Sequence, residues 1–99
     1  MDDALAQVRE QFRRRCGDDL QSLRAAMQAP QGLGTVSFQT MVHRISGISG
    51  SLGFPKLGAV AAEIDRTCSR GAGVDPTGLQ ELEIALAEVV SPYGDAPAR

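Results

Sequence analysis

The chain has one histidine, His43, at the start of the stretch HRISGISGSLGF that ends at Phe54. An exposed imidazole near pH 7 is largely neutral and nucleophilic at one ring nitrogen, so His43 is the first candidate for chemistry. No carboxylate lies one helical turn before or after it, which argues against a hydrolytic constellation. The chain has no second histidine, and Cys16 and Cys68 fall on apolar helix stripes, so we expect no metal or haem site.

The predicted helix around His43 turns the imidazole away from the core. At about 100° per residue, His43 lies about 160° from Ile45, which belongs to the apolar stripe. Gly47 and Gly50 come one and two turns later on the same side as the ring. Each glycine costs an exposed helix about 1 kcal/mol relative to alanine, and it leaves room for another protein to reach the imidazole. Alternatively, the glycines allow close packing against a neighbouring helix, and His43 is an incidental surface residue.

Apolar residues at steps of three and four predict a first amphipathic helix from Asp2 to about Gln28. Gly17 inside this pattern indicates a kink or a close helix contact, and the sequence APQGLG at 29–34 ends the helix. The predicted buried stripe of this helix is Leu5, Val8, Phe12, Cys16, Leu20, Leu23 and Met27.

The second helix contains His43 and is capped by Thr35 or Ser37; we expect Gly53 to end it. Its predicted stripe is Phe38, Met41, Ile45, Ile48 and Leu52. The third helix begins at Pro55, ends at Gly71 and buries Leu57, Val60 or Ala61, Ile64 and Cys68. The fourth helix is capped by Asp75, begins at Pro76, ends at Ser91-Pro92 and buries Leu79, Leu82, Leu86 and Val89.

These four helices with short connections predict an all-α fold, an antiparallel up-down four-helix bundle. At 99 residues the chain suits one domain, with the bundle over 1–92 and a flexible C-terminal tail over 93–99. The aromatic content of 4% and the apolar content of 42% indicate an aliphatic core.

The charge balance favours a protein partner. A formal net charge of −2 lacks the basic excess that nucleic acid or an anionic membrane attracts, and no apolar run approaches the roughly 20 residues that span a bilayer. Two separated cysteines and no secretory signal predict a cytoplasmic protein with reduced thiols, and we expect a monomer. Arg9 and the run 13–15 form a basic patch on the first helix, which is either a solvated face or a partner contact.

The segments HRISG, from His43, and GSLGF, ending at Phe54, resemble the phosphoacceptor segment of histidine-containing phosphotransfer (HPt) domains of phosphorelays. The family pattern is a histidine, a nearby basic residue, glycine four residues on, small residues, and then glycine before the next helix. The specific match covers roughly Phe38 to Asp65, and the four-helix layout extends it. The resemblance implies that His43 accepts a phosphoryl group from a receiver-domain aspartyl phosphate and passes it to another receiver aspartate.

The resemblance also implies a phosphohistidine carrier rather than a complete enzyme. Its expected partners are receiver domains of response regulators or a hybrid histidine kinase, docked over the second helix with help from the first. We expect the domain to bind no cofactor itself, with Mg²⁺ and the acidic cluster supplied by the receiver.

One position departs from the family pattern. HPt domains commonly have lysine three residues after the histidine, and here that residue is Ser46, which can form hydrogen bonds but carries no charge. Arg44 is the candidate substitute cation, or else a solvated side chain. Gln39 and Thr40, one turn before His43, are candidate hydrogen-bond partners of the ring or the phosphoryl group. The competing function is an adaptor or scaffold bundle that binds a receiver or kinase without transferring phosphate.

Overall fold

The structure is a computed structural model that describes residues 3–29, 35–71 and 73–91. Within these ranges it contains four helices and no strand. The helices are α1 (Asp3–Gln28), α2 (Val36–Ile48), α3 (Pro55–Ser69) and α4 (Pro76–Val90). Helix α1 packs on α4, α4 on α3, and α3 on α2, so the predicted all-α antiparallel four-helix bundle is confirmed. The predicted tail, 93–99, lies outside the described residues.

The core is mostly aliphatic, and the predicted stripes supply most of it. One aromatic pair, Phe12 of α1 and Phe54 before α3, stacks with ring centroids 5.5 Å apart. The buried apolar side chains are Phe12, Cys16, Leu20, Leu23, Phe38, Met41, Val42, Ile45, Leu52, Leu57, Ala61, Ile64, Leu79, Leu82, Ala85, Leu86 and Val89.

Helix α1 is longer than the core that it covers. Its 26 residues span about 39 Å, whereas the 13 to 15 residues of the other helices span about 20–23 Å. The prediction that Leu5 and Val8 are buried is therefore wrong, because no equally long helix accompanies the first turns, and both side chains are 43% exposed. The helix runs unbroken through Gly17, where an added Cβ would have no heavy-atom neighbour within 4 Å. Close packing therefore does not explain Gly17.

Helix α2 begins as predicted but ends earlier. The Thr35 hydroxyl accepts a hydrogen bond from the Phe38 backbone N–H at 3.1 Å, which caps the helix. The helix ends at Ile48 rather than at Gly53, and a turn follows in which Gly53 has φ +91°. Leu52 is buried as predicted, but it reaches the core from this turn.

The prediction that Ile48 is buried is also wrong: its side chain is 38% exposed, and Ser49 is buried instead. The reason is the close approach of α3. A Cβ added to Gly58 would lie 3.4 Å from the Cβ of Ser49, so only small side chains fit at this level. The Ser49 hydroxyl donates to the Ile45 carbonyl at 2.6 Å, which satisfies it inside the core.

Helices α3 and α4 largely follow the prediction. Pro55 and Pro76 occupy their first positions, and the Asp75 carboxylate caps α4 by accepting from the Gly78 N–H at 2.7 Å. Of the predicted α3 stripe, Val60 and Cys68 are only partly buried. Together, α2 and α3 form the antiparallel hairpin that carries the histidine.

Candidate functional site

The imidazole of His43 points into solvent from the middle of α2. Its side chain is 78% exposed, whereas the neighbouring core residues Val42 and Ile45 are completely buried. The helical geometry explains this contrast, because His43 lies about 160° from Ile45 around the axis. The predicted orientation of the ring is confirmed.

The surface beside the ring is open on its C-terminal side. A Cβ added at Gly47 or at Gly50 would have no heavy atom within 4 Å. The alternative that these glycines permit close helix packing is therefore wrong, and that role belongs to Gly58 on α3. The prediction that Gly50 lies on the helix two turns beyond His43 is wrong, because this residue lies in the turn after Ile48. Gly47 remains on α2, one turn beyond the imidazole.

A carboxylate from α3 contacts the ring, and the sequence pattern around His43 did not predict this contact. The Nδ1 atom of His43 lies 2.9 Å from Oδ2 of Asp65. The packing of α3 on α2 sets this pairing. His43 is six residues before Ser49 and Asp65 is seven residues after Gly58, so the close Ser49 and Gly58 contact places His43 and Asp65 at nearly the same height. The residues at helical spacing around His43 on α2 do not indicate this contact with α3.

The contact with Asp65 assigns the ring nitrogens different roles. An ionised carboxylate only accepts hydrogen bonds, so Nδ1 carries the proton and donates it to Asp65. In the neutral imidazole the lone pair then lies on Nε2. The Asp65 side chain is 24% exposed, and the imidazole is 78% exposed. The carboxylate is thus less exposed than the ring, and Nε2 is the ring nitrogen whose lone pair is available to a partner.

The guanidinium of Arg44 is already paired. Its Nη2 atom donates to both carboxylate oxygens of Asp19 on α1, at 2.9 Å each. Asp19 is buried, with 5% of its surface exposed, and Arg15 lies 3.8 Å from the same carboxylate. In this arrangement the positive charge of Arg44 stabilises the junction between α1 and α2. A role for Arg44 as the cation of a phosphoryl group stays a prediction.

Within the described ranges, none of the other predicted site residues forms a side-chain hydrogen bond with the imidazole. The Ser46 hydroxyl donates to the His43 carbonyl at 2.8 Å, so it is engaged with its own helix. Gln39 and Thr40 are exposed one turn before the histidine. Their predicted roles remain predictions.

Neither thiol is placed for nucleophilic chemistry. Burial raises the pKa of the Cys16 thiol to about 12, with a smaller contribution from Asp19. Burial, and then the charge of Asp65, raises the pKa of Cys68. Among the described residues, no group of three or more histidine, cysteine or acidic side chains could hold a metal ion.

Part of the predicted basic patch on α1 is structural. The Arg9 Nε donates to the Leu52 carbonyl at 2.8 Å, and the Arg13 guanidinium lies 5.8 Å from the centre of the Phe54 ring. Arg14 is mainly exposed and lies 3.5 Å from Glu10. In the part of the chain that the structure describes, no helix is long and apolar enough to cross a bilayer.

Comparison with known proteins agrees with this geometry. Residues 7–91 match the family model described as Hpt domain. No curated protein and no solved structure matches the chain.

Proposed function

Because the chain belongs to the Hpt domain family, whose members are histidine phosphotransfer carriers of two-component signalling, we propose that His43 is its phosphoryl acceptor. The observation that carries this proposal is the imidazole itself. It is the only histidine ring in the chain, it is 78% exposed, and open space lies one turn beyond it at Gly47. A partner can therefore bring a reactive group to Nε2 without displacing any part of the bundle.

The donor in this proposal is the aspartyl phosphate of a receiver domain. The Nε2 lone pair attacks phosphorus, and the receiver carboxylate leaves with the electrons of the broken P–O bond. Transfer to a second receiver reverses these steps. Phosphoryl transfer depends mainly on positioning and charge stabilisation, and Mg²⁺ held by the receiver supplies much of that stabilisation. The domain contributes a positioned nucleophile on a rigid helix.

The residues around His43 form the proposed contact surface. Gln39 and Thr40 present hydrogen-bonding groups one turn before the ring, and Gly47 leaves room for the partner one turn after it, with Gly50 in the turn that follows the helix. Ser46 brings no charge to the position where the family commonly has lysine, and Arg44 is bound to Asp19. The receiver therefore provides most of the positive charge at the transferring group.

A labelling experiment with the whole chain tests the proposal. The wild-type protein and His43→Gln are incubated with each receiver domain of the source organism, phosphorylated beforehand. We expect acid-labile, base-stable phosphate on the wild type, with the label absent from His43→Gln. Since the chain has one histidine, a label of this type identifies the site. Stable binding of a receiver with no label on either protein would contradict the proposal and support the adaptor function.

A further inference from the structure

A hollow of about 440 Å³ lies between α1 and α2. Its walls include Arg15 and Asp19 of α1, and Thr40 and Arg44 of α2. We propose that this hollow binds an acidic side chain of the receiver domain, held by the guanidinium of Arg15, when the receiver docks at His43. The inference rests on the proposed function, and it names the chemical group by which the domain recognises its partner.

The hollow exists because α1 and α2 do not pack tightly against each other. Within the described ranges, the closely packed helix pairs are α1 with α4, α4 with α3, and α3 with α2. The wall residues of α1 follow at steps of three and four and so form one continuous face of the helix. They are Arg15, Asp19, Ser22 and Ala26. The side chain of Arg44 crosses from α2 to this face.

The charges that line the hollow do not balance. Arg15, Asp19 and Arg44 are the charged residues of its walls, two of them positive and one negative. Both oxygens of Asp19 accept hydrogen bonds from Arg44 at 2.9 Å. The Nε atom of Arg15 lies 3.8 Å from the same carboxylate, which is outside hydrogen-bond distance. The guanidinium of Arg15 therefore has N–H groups available to a partner.

A carboxylate is the group that completes this cluster. With a second carboxylate beside Arg15, two guanidinium groups face two carboxylates, and each charge has an opposite neighbour. The planar guanidinium can donate two parallel hydrogen bonds to such a group. The Arg15 side chain is 60% exposed, so the incoming carboxylate reaches it from solvent. Asp19 stays buried with Arg44, and binding does not break that pair.

The other end of the hollow is apolar and gives the contact a direction. Its walls there include Ala26 of α1 and Val36 of α2, and Val36 is 79% exposed. The positions of Arg15 and Ala26 in α1 place the two ends about 16 Å apart along the helix. A receiver segment with an acidic side chain, and an apolar side chain about 16 Å further on, fits both ends.

The hollow adjoins the transfer site. Thr40 and Arg44 line it from α2, and they lie one turn before His43 and directly after it. A receiver side chain held in the hollow therefore places the receiver beside the exposed imidazole. Arg15 acts on docking and on the choice of receiver, and it takes no part in the bond to phosphorus.

Receiver binding by Arg15→Met tests the assignment. The receivers of the source organism are used without phosphate, so that no phosphoryl group takes the place of the acidic side chain. Isothermal titration calorimetry measures the dissociation constants at about 50 mM and about 300 mM NaCl. We expect Arg15→Met to weaken binding of the preferred receiver about tenfold at low salt, with a smaller difference at high salt. Arg15→Lys should recover part of this loss.

Arg14→Met is the matched control. Arg14 belongs to the same run of arginines and is 79% exposed, but it is not part of the wall of the hollow. We expect this substitution to change the dissociation constant by less than about twofold. Urea unfolding of both variants confirms that each is folded.

Charge reversal identifies the partner group. Arg15→Glu should abolish receiver binding because two carboxylates then meet in the hollow. Exposed acidic residues of the receiver are replaced by lysine one at a time. We expect one of these receiver variants to restore binding to Arg15→Glu.

The outcomes separate this inference from the proposed function. Unchanged binding by Arg15→Met, or equal losses in Arg15→Met and Arg14→Met, overturns the role of Arg15 even where His43 accepts phosphate. Failure of every receiver variant to restore binding to Arg15→Glu also overturns it. Binding that depends on Arg15, from a receiver that never labels His43, supports the hollow and contradicts the carrier function. If no receiver binds the wild type, both are wrong.

Discussion

Arg44 donates from one guanidinium nitrogen to both carboxylate oxygens of Asp19, at 2.9 Å each, and so joins α2 to α1. The basic residue that directly follows the histidine in the sequence therefore contacts α1, whereas His43 itself contacts Asp65 on α3. Adjacent residues of α2 are thus paired with acidic residues of two different helices.

Replacing Arg44 should destabilise the bundle. Arg44→Met leaves the buried Asp19 carboxylate with only Arg15, at 3.8 Å, and we expect the free energy of unfolding to fall by about 2–3 kcal/mol. Arg15→Met removes a mainly exposed and more distant partner, so its effect should stay below about 1 kcal/mol. Urea unfolding measures both, and equal effects of the two substitutions would contradict this assignment.

Filling the space at Gly47 should block transfer without harming the fold. Gly47→Leu places a side chain one turn beyond the imidazole, where an added Cβ would have no heavy atom of another part of the domain within 4 Å. Since a misplacement of about 1 Å can slow a reaction about a hundredfold, we expect phosphate transfer to fall at least about tenfold. Gln80→Leu, at an exposed position on α4, is the matched control. If both variants transfer at the wild-type rate, the partner does not approach across Gly47.

Gly53 should resist substitution because of its backbone conformation. Its φ of +91° is unfavourable for any residue with a Cβ, and an added Cβ would also make the end of the Arg9 side chain shift, since its guanidinium nitrogen would lie 2.8 Å away. We expect Gly53→Ala to lower the free energy of unfolding by about 2 kcal/mol. Gly73→Ala should change it by less than about 0.5 kcal/mol, because no atom lies near its Cβ position. Thermal or urea unfolding of the pair provides the test.

The raised pKa of Cys16 makes stability depend on alkaline pH. The unfolded chain loses the thiol proton near pH 9, whereas the folded protein keeps it until about pH 12. The folded state therefore binds more protons in this window, and this thiol lowers the free energy of unfolding by about 1.4 kcal/mol per pH unit as pH rises. Cys16→Ala should show a shallower decline between pH 9 and pH 11 in urea unfolding. An unchanged slope would show that the Cys16 thiol does not contribute.

Local sequence signals predicted the helices well because those signals act within a few residues. The stripe of α4 and the caps formed by Thr35 and Asp75 depend on periodicity and on backbone groups three residues away. The exposure of His43 also follows from its angle to Ile45 along one helix.

Features that depend on two helices could not be predicted in this way. Gly58 lets α3 approach Ser49, and this contact both replaces Ile48 in the core and sets Asp65 opposite His43. No spacing within α2 contains that information. The register between the helices comes from side-chain packing, which the pattern of either helix alone does not determine.

The open space at Gly47 and Gly50 also has a consequence for how the domain would distinguish one receiver from another. A glycine has no side chain with which a partner protein could form specific contacts. The proposed centre of the contact can therefore accept different receivers. In the proposed complex we expect recognition to involve exposed side chains around the contact, such as the apolar Val36 and Ile48 of α2. We expect substitutions at such positions to change which receiver the domain prefers, while the reacting atoms stay unchanged.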